Sequence, residues 1–89
     1  MVRMFIRHDV ADYDAWRQGY DAFDGTRSDM GVTDHAVYRS IDDPNNVTVT
    51  HDFADADAAR TFTSSPELHS VMQKAGVEGE PIIWFTQSG

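Results

Sequence analysis

The stretch Arg7-His8-Asp9-Val10-Ala11-Asp12-Tyr13-Asp14-Ala15-Trp16 (RHDVADYDAW) changes its period halfway along, and that change decides the fold. Upstream, Val2, Met4, Ile6 and His8 alternate with Arg3, Phe5 and Arg7, the period-2 pattern of a strand over residues 2–8. Downstream, Tyr13, Trp16, Tyr20 and Phe23 are spaced by 3, 4 and 3 and share one helical face. Asp12 stands at the junction, where a carboxylate can accept from the free N–H groups of a first helical turn. The spacing predicts a first strand followed by a helix from about Tyr13 to Thr26.

Beyond Gly31 the alternation resumes from Val32 to Ile41, with His35, Val37, Arg39 and Ile41 on one face. The turn-forming cluster Asp42-Asp43-Pro44-Asn45-Asn46 separates this strand from Val47 to Phe53, so the two read as a hairpin. In an even register His35 and His51 lie near each other across the strands. Asp55 begins a helix over Ala56 to Thr63, and Ser65-Pro66-Glu67 restarts it with a cap, a proline at the first helical position and an acid in the first turn. Leu68, Val71, Met72 and Ala75 form its apolar stripe, and Gly76 stops it. The final strand, Ile82-Ile83-Trp84-Phe85-Thr86, is apolar on both faces, which predicts burial on both sides.

The order β-α-β-β-α-β is the ferredoxin-like arrangement, an α+β fold with a four-stranded antiparallel sheet and helices on one face. Residues 1–89 form a single domain. Phe5, Phe85 and Ile83 or Trp84 fall on the face left over, and an uncovered apolar sheet face marks an interface.

Composition narrows the functions. There is no cysteine, which excludes a disulfide framework, thiolate zinc sites and a cysteine nucleophile. The formal charge of -8, from 15 acidic and 7 basic residues, argues against nucleic-acid phosphates and anionic membranes. Twelve of the acids are aspartate and Lys74 is the only lysine, a bias that fits a GC-rich genome or a salt-adapted cytoplasm. No run approaches the roughly 20 apolar residues of a membrane span, and MVRMFIRHD has no secretory pattern, so the expected location is the cytoplasm. Glycine-rich phosphate loops, nucleophile elbows and zinc-type spacings do not occur.

With RHDVADYDAW after the first strand, DDPNNVTVTHDF at the hairpin and SSPELHSVMQKAGVEGEPIIWF at the end, the chain resembles the small dimeric α+β barrel proteins. It is most similar to the antibiotic-biosynthesis-monooxygenase-like and cyclase-like members, which carry a V-x-D-Y-D-x-W entry to the first helix and an S-P-E-L…M…A-G-V stretch before the last strand. The resemblance implies a homodimer whose two sheets face each other as a barrel with the helices outside. It also implies a pocket between sheet and helices in each subunit, used by different members for oxygenation of aromatic polyketides, ring closure, haem breakdown or binding alone. His69 is the only histidine in the region from which haem-degrading relatives take an iron ligand. The first strand here lacks the asparagine on which those relatives rely, the only asparagines being Asn45 and Asn46.

A cofactor-free oxygenase or cyclase needs an enclosed apolar pocket, a base for a phenolic or enolic proton and a donor for the resulting oxyanion. His35 and His51 are the candidate bases, because imidazole titrates near neutral pH. Tyr38 and Arg39 are candidate polar positioners, Trp84 an aromatic wall, and His8 a rim residue of the pocket. Antiparallel pairing sets His8 four or five residues from the other strand histidines, about 15 Å by strand rise, which argues against a three-histidine metal site in one subunit. No metal and no cofactor are expected. Two readings follow: a cofactor-independent monooxygenase-like or cyclase-like enzyme acting on a small aromatic or polyketide-like molecule, or a non-catalytic ligand-binding or stress-related dimer whose histidines are structural.

Overall fold

The structure, a computed structural model, describes residues 1–89. Strand β1 (Val2–Val10) leads through the Asp12 cap into α1 (Tyr13–Ala22), with the Asp12 carboxylate accepting from the Ala15 N–H at 3.0 Å. The helix expected to run unbroken to Thr26 breaks at Phe23, whose N–H donates back to the Tyr20 carbonyl at 3.2 Å in a tightened turn. A short α2 (Asp24–Asp29) continues from there, and Gly31, at φ 92°, releases the chain into β2 (Val32–Arg39). Strand β2 ends two residues earlier than its alternation suggests, leaving Ile41 fully exposed in the loop. Strand β3 (Asn46–Phe53) completes the hairpin.

Two short helices follow, α3 (Ala56–Thr63) and α4 (Pro66–Lys74), capped by Asp55 and Ser65 at the positions the sequence marks. The Asp55 carboxylate accepts from Ala58 N–H at 2.8 Å and the Ser65 hydroxyl from Leu68 N–H at 3.1 Å. Gly76, at φ 84°, turns the chain into β4 (Val77–Gln87), which starts five residues before the apolar run that announced it.

The strands form one antiparallel sheet in the order β2-β3-β1-β4. Cross-strand rows fix which side chains share a face. Toward the helices lie Val37–Val49–Ile6–Ile83 and, one row along, His35–His51–Met4–Phe85. Away from them lie Tyr38–Thr48–Arg7–Ile82, Ala36–Thr50–Phe5–Trp84 and Asp34–Asp52–Arg3–Thr86. The expectation that β4 is buried on both sides is corrected: β4 is an edge strand paired only with β1, and Ile82, Trp84 and Phe85 are 62%, 40% and 43% exposed. Its double apolarity instead serves one face turned to the helices and one that no element of this chain covers. On that open face Phe5 and Trp84 stack at 4.9 Å between ring centres, beside a bidentate Arg3–Asp52 pair at 2.7 and 3.0 Å. The guanidinium holds the Asp52 carboxyl below its usual range.

Between sheet and helices the core divides into two clusters. One gathers Val2, Met4, Ile6, Phe23, Phe53, Ala59, Phe62 and Leu68; the other gathers Val10, Trp16, Tyr20, Val47 and Val49. Helices α1 and α4 close over them, and Gly19 permits that approach, since a Cβ there would stand 3.1 Å from the Ala75 Cβ.

Candidate active site

A cavity of about 40 Å³, partly open to solvent, lies at the seam between the two clusters. Ile6, Phe23 and Leu68 of the first cluster and Trp16, Tyr20 and Val49 of the second contribute to its wall, and Val71 and Met72 of α4 with Ala75 at its C-cap complete it. Into this apolar lining come three polar side chains: His8 from β1, His51 from β3 and Arg27 from α2.

His8 and His51 are 6% and 3% exposed, and none of their four ring nitrogens has a hydrogen-bond partner in the protein. An imidazole must present one N–H donor and one bare nitrogen, and leaving such a buried group unpaired costs about 1–3 kcal/mol. Both rings pack against aromatic side chains. His8 stands edge-on to Trp16 at 5.7 Å, and His51 packs against Phe62 at 5.0 Å between ring centres. Burial lowers the His8 pKa to about 4 and, helped by the nearby Arg27 and His35, that of His51 to about 3. Both imidazoles are therefore neutral at pH 7, able to accept a proton from a bound acid or to donate a hydrogen bond to it.

The two candidate bases separate sharply in their surroundings. His35 shares a face with His51, as an even register requires, and sits directly across the hairpin from it, with ring centres 6.4 Å apart. Its Nδ1 is bonded to the Tyr20 hydroxyl, however, and its Nε2 faces the Asp24 carboxylate at 3.1 Å. With Nε2–H donating to Asp24, Nδ1 accepts the phenolic proton, so Asp24, His35 and Tyr20 form a chain from the surface to the cavity wall. His35 does not line the cavity; His51 does.

The other expected site residues divide in the same way. His8 is four residues along β1 from Met4, the partner of His51, yet the cavity reaches both ends of that span, so His8 lies in the wall rather than at the rim. Tyr38 and Trp84 share a face, but it is the open one, and they lie on opposite edge strands, so they form no common pocket. Arg39 is on the helix side outside the cavity, where its Nε donates to the Pro44 carbonyl at 2.9 Å and its guanidinium stacks 3.7 Å from the Tyr13 ring. His69 is exposed, with Nε2 3.2 Å from the Thr63 carbonyl oxygen. No three His, Asp or Glu side chains converge as a metal-ligand set would.

Sequence reasoning missed Arg27. It extends the aromatic stripe 13-16-20-23 by another four residues, and a charged residue on the buried face of a helical pattern was the signal. In the structure Arg27 is 2% exposed, its guanidinium lies 3.9 Å from the Tyr20 ring centre, and its Nε has no partner.

A family model described as antibiotic biosynthesis monooxygenase matches residues 1–74, which include β1, β3 and every residue of the cavity wall except Ala75. The chain belongs to that family. Among solved structures, a Bordetella bronchiseptica protein assigned to the antibiotic biosynthesis monooxygenases superposes with a TM-score of 0.82 at 16% identity, over 99% of this chain and 96% of the other. SnoaB, a cofactor-independent oxygenase from Streptomyces nogalater, superposes with a TM-score of 0.80 at 15% identity, over 99% and 92%. At these identities the likeness is one of fold, and it places the chain among the α+β structures of the family. A search of curated proteins gave no match.

Proposed function

We propose that the chain is a cofactor-independent monooxygenase-like enzyme acting on a small aromatic or polyketide-like molecule in the cytoplasm, working as a homodimer. The observation that carries the reading is the apolar cavity with two buried, neutral imidazoles whose nitrogens have no partner in the protein. His51 takes the role of base. A phenol or enol bound there gives up its proton to the imidazole, and the electron-rich anion that remains is the species that reacts with oxygen. A pKa lowered by burial rises again when an anion is held beside the ring, because imidazolium and oxyanion then stabilise each other.

The homodimer reading rests on the open face, where Phe5, Trp84 and Ile82 gather apolar surface that a second copy's sheet would cover. The cavity's size favours a second reading. A space of about 40 Å³ accepts about three water molecules, so an aromatic ring enters only if α4 yields at Val71 and Met72, which are half-buried and, for Met72, flexible. If they do not yield, the protein is a non-catalytic dimer with structural histidines.

Oxygen uptake with a panel of hydroxylated anthrones and naphthols separates the two. The expected result is uptake matched by an oxygenated product, without added flavin or metal, and lost in His51→Phe. Retention of a ligand without uptake supports the non-catalytic reading, and a ring-closed product formed without oxygen supports the cyclase.

A further inference from the structure

Arg27 is the only charged side chain in the cavity wall, and its surroundings compensate its charge only weakly. One Nη2–H donates to the Tyr20 carbonyl, a neutral acceptor, and the guanidinium face rests on the Tyr20 ring, also neutral at pH 7. Asp24, the only carboxylate within 4 Å, is 3.8 Å from Nη2 with a side chain 67% exposed, so water screens it. The Nε–H is buried and bare. No acid lines the cavity, and both its histidines add donors and acceptors without charge. A leucine or methionine would fill this helix face without stranding a cation in an apolar wall, which is strongly unfavourable.

We propose that the cavity selects an aromatic monoanion, a planar ring carrying an ionised oxygen, with that oxygen held by Arg27 and the ring among Trp16, Tyr20 and Phe23. The inference rests on the reading of the cavity as an aromatic site. The ionised oxygen belongs to a carboxylate or to a phenol or enol that has lost its proton. Charge-assisted hydrogen bonds from a guanidinium suit either, and His8 and His51 supply further donors to the same oxygen or to a neighbouring one. Neutral analogues of the same shape forfeit the charge and leave Arg27 unpaired.

The test is a titration of the purified full chain, followed by NMR, with benzoate and with its near-isosteric neutral counterpart benzamide. Benzoate is expected to bind at least about tenfold more tightly, the scale of a charge-assisted hydrogen bond in a largely apolar site. The Arg27 Nε–H resonance should move with benzoate and not with benzamide, and Arg27→Met should bring the ratio toward one. In a second arm, 4-nitrophenol that takes on the absorption of its phenolate when bound assigns the oxygen to a phenol or enol, whereas benzoate selectivity without that change assigns it to a carboxylate. Equal binding of benzoate and benzamide, or a preference that survives Arg27→Met, refutes the anion inference while the aromatic cavity stands. Binding of none of the probes refutes both. Should Arg27→Met fail to fold, the Nε–H resonance of the wild-type protein decides.

Discussion

Acid should unfold this protein earlier than its carboxylates alone would, because His8 and His51 are buried as neutral rings. In the unfolded chain both titrate near 6.5, whereas in the folded chain burial holds them at about 4 and about 3. Between these values the unfolded state binds more protons, so stability is full above pH 6.5 and falls as the pH drops below it. Each histidine contributes a slope of about 1.4 kcal/mol per pH unit, about 3 kcal/mol per unit for the pair. From pH 6.5 to 4.5 the loss is about 5 kcal/mol, comparable with the whole stability of a small domain. Asp52 does not blur this window, since its Arg3-lowered pKa acts only below the ordinary aspartate value of 3.8. Urea unfolding at closely spaced pH values and fixed protein concentration measures the slope. His8→Phe and His51→Phe should each remove about half of it, and the double variant should be nearly flat from pH 6.5 to 4.5. A flat wild-type profile, or a slope that persists in the double variant, would refute the assignment of both rings to a buried position without protein partners.

Two further outcomes follow from the sheet and the first helix. Sedimentation of the wild-type protein at micromolar concentration should give twice the 10.0 kDa chain mass, and Trp84→Asp, which places a carboxylate against Phe5 on the open face, should give the single-chain mass while staying folded; a wild-type monomer sinks the interface reading. Asp12→Ala should lower stability by about 1 kcal/mol in urea unfolding, as loss of a capping oxygen does, and an unchanged midpoint would mean that α1 is held by packing alone.

Local pattern was enough for the order of the strands and for the caps of three helices, though not for the break at Phe23 that makes α2 a separate helix. Period-2 and period-3.6 alternation are written in near neighbours, so Asp12, Asp55 and Ser65 could be placed at helix starts and Val2, Met4, Ile6 and His8 on one face before any contact was known. In an even register the hairpin brings His35 and His51 near each other on one face, and the folded sheet sets them directly opposite. Which face of the sheet the helices cover, and which strand stands at its edge, depend on pairings between residues far apart in the chain. Tyr38 and Trp84 could not be assigned from alternation alone: it says that two residues share a face, not whether that face meets a helix or a second molecule. His35 and His51 have the same parity and the same row, yet one is occupied by Asp24 and Tyr20 and the other is bare, a difference made by where α2 comes to lie. Arg27 is the sharpest case. Its spacing along the helical stripe was legible, but the cavity it lines is a property of the packed chain, where two core clusters meet and leave a seam. Strand order, helix caps and the apolar stripes are therefore legible from local pattern, whereas the site belongs to tertiary packing, because a cavity exists only between elements that local periodicity describes one at a time.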